Sequence, residues 1–150
     1  MLPMKKIKTA AALVVSVALA GSALLAAACD PVWSVRRDAL PSKQLTTDCI
    51  KGALARAGAT RVVASTSSRD ATSRRVWFRL RGVGLAINYR VGAASPRRVE
   101  ISTSGVGSCV APQYLARIRS ASEALLAHLQ RSCGPIKAGP EKLSRPDCSR

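Results

Sequence analysis

A chain of 150 residues with 24 Lys+Arg against eight Asp+Glu carries a formal net charge of +16, and 47% of its residues are hydrophobic. That length bounds one domain plus a leader, and the charge favours anionic partners such as lipid head groups, lipopolysaccharide, cell-wall polymers or nucleic acid. Five aromatic residues and one histidine, His128, argue against a base-stacking nucleic-acid platform and against histidine-based catalysis.

Lys5, Lys6 and Lys8 open the chain with positive charge. No charged residue occurs from Thr9 to Ala28, where Ala, Val and Leu dominate, and Leu25-Ala26-Ala27-Ala28 precedes Cys29. Basic start, apolar run and small-residue cleavage site are the three parts of an export signal. The segment resembles the lipobox signal of bacterial lipoproteins, with Ala26 where that family prefers Leu. The resemblance covers about the first thirty residues. It implies acylation of the Cys29 thiol, cleavage just before it, and a domain held at a membrane of the cell envelope, facing the periplasm or the exterior. Two other readings fit the same residues: a plain secretory cut after Ala28, and a retained transmembrane anchor over Thr9–Ala28. All three put the domain outside the cytoplasm. Beyond residue 28 the basic residues fall to 21, still against eight acids.

Residues 29–42 read as a tether, with Pro31 and Pro41 bracketing Trp33, Arg36 and Arg37. Trp33 reads as packing on its own domain; the competing reading puts it at a lipid interface with the two arginines on head groups. A helix is expected over 43–57, with Ser42 as N-cap and Gly58 as stop, because Leu45, Cys49, Ile50, Ala53, Leu54 and Ala57 recur at helical spacing. The period then changes to two. Short strands are expected over 61–65, 74–81, 85–91 and 97–103, with Val76, Phe78, Leu80, Leu85, Ile87, Tyr89, Val91, Val99 and Ile101 facing inward. Gly105-Val106-Gly107-Ser108 reads as a loop. A second helix starts at Pro112 and stops at Cys133-Gly134-Pro135, and an irregular tail follows. The expected fold is α+β: a two-layer sandwich of a four-stranded antiparallel sheet with two helices on one face, in the order α-β-β-β-β-α, with 43–150 as a single domain.

Four cysteines lie beyond Cys29. Antiparallel helices would bring Cys49 to Cys133 and leave Cys109 for Cys148, while the pairing Cys133–Cys148 would close a shorter loop; spacing alone does not choose. No close cysteine pair of the kind zinc sites use is present, and an oxidising compartment favours disulfides.

The wet face of the sheet is the most suggestive surface. Trp77, Arg79, Arg81, Asn88 and Arg90, with Arg98 nearby, form a candidate anionic-ligand patch, since guanidinium forks match phosphate and carboxylate. The plainer reading is a solvated face with cross-strand charges. No G-x-S-x-G elbow is present, the carboxylates are scattered, Asp48 suits the start of a helix, and His128 stands alone on a helix. No catalytic set, cofactor or metal is therefore expected. The expected function is a lipid-anchored envelope protein that binds or scaffolds. Its partners would be the membrane, through the lipid, and an anionic envelope polymer, a lipid head group or an acidic protein, with no specific nucleic acid. The alternatives are a specific anionic-ligand module and an envelope hydrolase.

Overall fold

The computed structural model describes residues 31–92 and 97–149. The leader and Cys29 lie outside the described residues. The segment expected to be a tether is instead strand β1, Val32–Pro41. Its sequence alternates as a half-buried strand should: Trp33, Val35, Ala39 and Pro41 are buried, while Val32, Arg36 and Leu40 are exposed. Arg37 occupies an inward position and breaks the apolar alternation, and the prolines bracket the strand, where a missing N–H costs least.

After β1 come α1 (Thr47–Arg56), β2 (Thr60–Thr66), β3 (Ser73–Leu80), β4 (Val83–Arg90), β5 (Val99–Val106), α2 (Pro112–Cys133) and β6 (Ile136–Leu143). The six strands form one antiparallel sheet in the order β2-β3-β4-β5-β1-β6, with the two helices packed together on it. The class is α+β as expected, but the sheet has six strands rather than four and the order is β-α-β-β-β-α-β. The expected stop at Cys133-Gly134-Pro135 does end the second helix, and β6 then takes in the start of the expected tail at Pro140. Gly139 and Pro140 fall where its register against β1 shifts between Arg37 and Ala39, and an edge strand accommodates both the bulge and the proline. β5 likewise runs on through Gly105 and Val106, which had read as loop.

The first helix begins later than expected. Thr46, not Ser42, is its N-cap, with Oγ1 accepting from the Cys49 N–H at 3.2 Å. Leu45 stays buried just outside the helix, and with Ile50 it occupies the positions of a hydrophobic staple. α2 starts at Pro112 and ends at Gly134, whose φ of 93° suits a residue without Cβ. Leu115, Ile118, Leu125 and Leu129 on its inner face meet Val76, Phe78, Leu80, Leu85, Ile87, Val99 and Ile101 from the sheet in one core. Among the described residues no helix is long and apolar enough to cross a membrane.

Two disulfides close the domain, Cys49–Cys133 and Cys109–Cys148, with Cα separations of 5.3 Å and 5.2 Å. They act at opposite ends. The first joins the start of α1 to the end of α2, beside the end of β1, where the Ser42 N–H donates to the Pro135 carbonyl. The second joins the β5–α2 loop to the C-terminal segment, beside the start of β1. There the Val110 N–H donates to Pro146, the Cys148 N–H to Val110, and the Ser144 N–H to Ser34.

Trp33 and Gly105 face each other across β1 and β5, and a Cβ added to Gly105 would collide with the Trp33 ring. Gly105→Ala should therefore lower unfolding stability by about 1–3 kcal/mol in urea denaturation, as overpacking does. Gly84→Ala, whose Cβ would meet nothing within 4 Å, should cost much less in the same assay. Equal losses at the two sites would remove the indole contact as the cause.

Candidate functional site

Because the large apolar side chains of the sheet's inner face join those of α1 and α2 in one core, its other face carries the polar alternates. The strand registers arrange them in two rows. One row crosses five strands as Trp77, Ala86, Ser102, Arg36 and Lys142; the next runs Arg75, Asn88, Glu100 and Asp38. Ala86, between Trp77 and Ser102, has no exposed surface even though it lies on this open face. Trp77 remains 42% exposed, and the Arg75 guanidinium lies over its ring, 3.9 Å from the centroid. This is a cation–π stack, which orients both side chains. Beside the stack runs a groove of about 250 Å³, with Trp77 and Arg75 on one side, Arg36 and Glu100 on the other, and Ser34, Ser102 and Ser104 completing its lining.

Asp38 and Glu100 stand directly opposite each other on β1 and β5. Like charges so placed repel, and here each is offset by donors. Arg98 and Lys142 reach Asp38 at 2.8 Å and 3.2 Å, and Arg36 and Asn88 reach Glu100 at 3.4 Å and 3.1 Å. The Arg98 hydrogen bond, helped by Lys142, holds the Asp38 carboxyl below the usual carboxylate range against the opposing effect of partial burial.

Of the expected patch, Trp77, Arg79, Asn88 and Arg90 do share this face. Arg90 pairs with Asp70 at 3.2 Å and Arg98 with Asp38, so Arg79 is the arginine of that set with no ion pair among the described residues. Arg81 does not belong to the patch. The strand ends at Leu80, and Arg81-Gly82 form a two-residue hairpin turn with φ of 51° and 77°, the positive values such a turn needs. The alternation stops there, and the Arg81 side chain donates to Ser120 Oγ on α2 at 2.8 Å, on the helical side. Arg75, Arg36 and Lys142 are the contributors missed. Arg75 was visible in the same alternation as Trp77 and Arg79; the other two lie on strands that had not been recognised.

Trp33 packs inside the domain, edge-on to Tyr114 with centroids 5.8 Å apart, while Arg36 pairs with Glu100 and Arg37 lies near Glu123 and Glu141. His128 sits in the helical layer with Nδ1 3.1 Å from an Arg131 nitrogen; partial burial, then the Arg131 charge, holds its pKa below the ordinary histidine value.

No protein-family model matches the chain, and no curated protein matches it. Among solved structures it is similar to the crystal structure of the adenosylmethionine decarboxylase from Aquifex aeolicus VF5. The match has 11% identity over 82% of this chain and 96% of that one, with a TM-score of 0.40, a likeness too distant to carry a function.

Asp38 ties acid stability to this face. Its folded pKa is depressed, so its contribution is present at neutral pH and is lost as pH falls through the folded value, below the ordinary 3.8. Asp38→Asn should cost about 1 kcal/mol at pH 7 and should flatten the loss of stability seen below about pH 4. Urea denaturation of both proteins across pH 2–7 measures this, and parallel pH profiles would show that Asp38 is not the titrating group.

Proposed function

We propose that this chain is an extracytoplasmic protein, held to a membrane of the cell envelope by lipid on Cys29, whose domain binds a phosphate- or carboxylate-bearing envelope component on the open face of its sheet. The role is binding or scaffolding rather than catalysis. The observation that carries the reading is the Arg75–Trp77 stack beside a groove lined by small serines, on the face that neither helix covers.

Charge supports an anionic ligand. Around this face stand Arg36, Arg75, Arg79, Arg90, Arg98 and Lys142, against Asp38, Asp70 and Glu100. Arg75 and Arg79 have no ion pair among the described residues, so their guanidinium donors are available to oxygen anions. The indole offers an apolar platform next to them, and the groove is wide enough for a small moiety of a polymer rather than a whole enclosed substrate. The carboxylates support binding over chemistry. Asp38 is kept ionised by two cations, so it is not poised as a proton donor at neutral pH, and Glu100 is engaged by Arg36 and Asn88.

The cysteines support the location. Two disulfides suit an oxidising space outside the cytoplasm. They use four of the five cysteines, so Cys29 is left over, at the position the lipobox-like signal assigns to the lipid.

The full chain in mild detergent can be titrated with lipopolysaccharide and with cell-wall fragments, with heparin as a polyanion control, while Trp emission is followed. Trp77→Ala or Arg75→Ala should weaken binding to one envelope polymer about tenfold, the loss of roughly 1.4 kcal/mol. Equal, wholly salt-sensitive binding to all three, unchanged by either substitution, would reduce the face to diffuse charge. For the anchor, Cys29→Ala should move the protein into the soluble fraction after an alkaline wash; retention on the membrane would indicate another anchor.

A further inference from the structure

We infer that the end of the sheet at which β1 begins docks end-on against the lipid surface, with Val32 and Val106 at the level of the head groups. The inference rests on the lipid anchor at Cys29. Its starting point is chain length. Only two residues, Asp30 and Pro31, separate Cys29 from Val32, so three residue steps join them, and a fully extended chain spans at most about 3.3–3.6 Å per residue. The start of β1 is therefore kept within roughly 10 Å of the acylated residue, a distance comparable with the depth of the polar head-group region.

Nothing at this end gives the domain slack. β1 is hydrogen-bonded on one edge to β5 and on the other to β6. Its first turn of pairing is held again from the C-terminal side. The Ser34 N–H donates to Ser144 Oγ at 2.7 Å, the Ser144 N–H donates to the Ser34 carbonyl, and Cys109–Cys148 locks the flanking segments. The domain could stand away from the membrane only by peeling β1 out of the sheet.

The surface so placed fits a lipid interface. Val32 and Val106 face each other across β1 and β5 and are 55% and 70% exposed, which makes a paired apolar tip on the last register of the sheet. Partial burial of such a tip among head groups is favourable, and cations around it add attraction to anionic lipid. Arg79 lies one residue before the end of β3 at this end, Arg61 one residue after the start of β2, and Arg145 follows the Ser144 contact; none of the three has an ion pair among the described residues. At the far end Arg90 and Arg98 are neutralised by Asp70 and Asp38. The sheet then stands upright on the membrane. α2, at about 1.5 Å per residue over 22 residues, rises about 33 Å, and the groove beside Trp77 opens sideways.

The test uses the full acylated chain in vesicles of phosphatidylcholine and phosphatidylglycerol, with brominated lipid as quencher. In a Trp77→Phe background, Val106→Trp reports the tip, Val32→Trp is a second probe of it, and Leu40→Trp reports the opposite end of the same strand. The two tip probes should shift to the blue and lose at least half of their emission to brominated lipid. Leu40→Trp should quench no more than the background protein. Equal quenching at both ends, or none at the tip, overturns end-on docking. Flotation with the vesicles and the mass of the acylated peptide, measured on the same samples, separate the two ideas. Acylated, floating protein with an unquenched tip sinks the docking alone, whereas protein without lipid on Cys29 sinks the docking and the anchor together.

Discussion

The pairing of β1 along both of its edges is the constraint on which the rest of this structure depends. β5 and β6 are each hydrogen-bonded to β1 and not to one another, so the α2 crossover that links them closes only because β1 lies between. The same strand supplies Trp33 to the core, Arg36 and Asp38 to the open face, and Arg37 to the carboxylates Glu123 and Glu141 on the helical side. A ten-residue segment thus contributes both to the core and to the candidate site. Its loss would expose an edge of β5 and leave α2 without the strand that β6 packs beside.

The open face is also organised by β1. Its Asp38 falls opposite Glu100 of β5, an arrangement that costs free energy unless cations surround it. Arg98, Lys142 and Arg36 supply them, from the approach to β5, from β6 and from β1 itself. These arginines and the lysine are therefore engaged in offsetting a built-in repulsion. The cations left over, Arg75 and Arg79, sit together on β3 around Trp77. Charge counted over the whole face would have spread the uncompensated positive charge evenly. Charge counted after internal pairing concentrates it at one strand, next to the only large apolar side chain that strand shows to solvent.

What was legible in the sequence follows the cleanness of the pattern. β3 and β4 alternate without interruption between Arg74 and Arg90 except at one hairpin turn, so both their faces and the inward set from Val76 to Tyr89 could be read directly. α2 announces itself with Pro112 and Gly134 and a continuous apolar stripe. β1 was obscured because a charged residue, Arg37, takes an inward position near two carboxylates, Glu123 and Glu141, that are distant in sequence. β6 was obscured because Gly139 and Pro140 mark a bulge on an edge strand, where local signals of a loop and of a strand coincide. Both misreadings removed residues from the candidate site, Arg36 with β1 and Lys142 with β6. Arg81 was wrongly included because alternation alone does not say where a strand ends; the positive φ at Arg81 and Gly82 does.

The two disulfides divide the ends of the domain between different tasks. Cys49–Cys133 ties the helices to each other at the end where β1 finishes, and the loop it closes, 84 residues apart in sequence, removes much of the freedom of the unfolded chain. Cys109–Cys148 spans 39 residues and acts where β1 begins. A pull on the start of β1 is resisted there by strand pairing on both sides and by a covalently fixed C-terminal segment hydrogen-bonded to Ser34. A domain on a long tether needs no such reinforcement at its exit strand, because the tether absorbs displacement. On the proposed anchor, the two residues between Cys29 and Val32 would absorb little of it, and the load of attachment would fall on the sheet. That would be a physical reason for the second disulfide to lie at this end, and the groove beside Trp77 lies several registers up the sheet, outside both stapled ends.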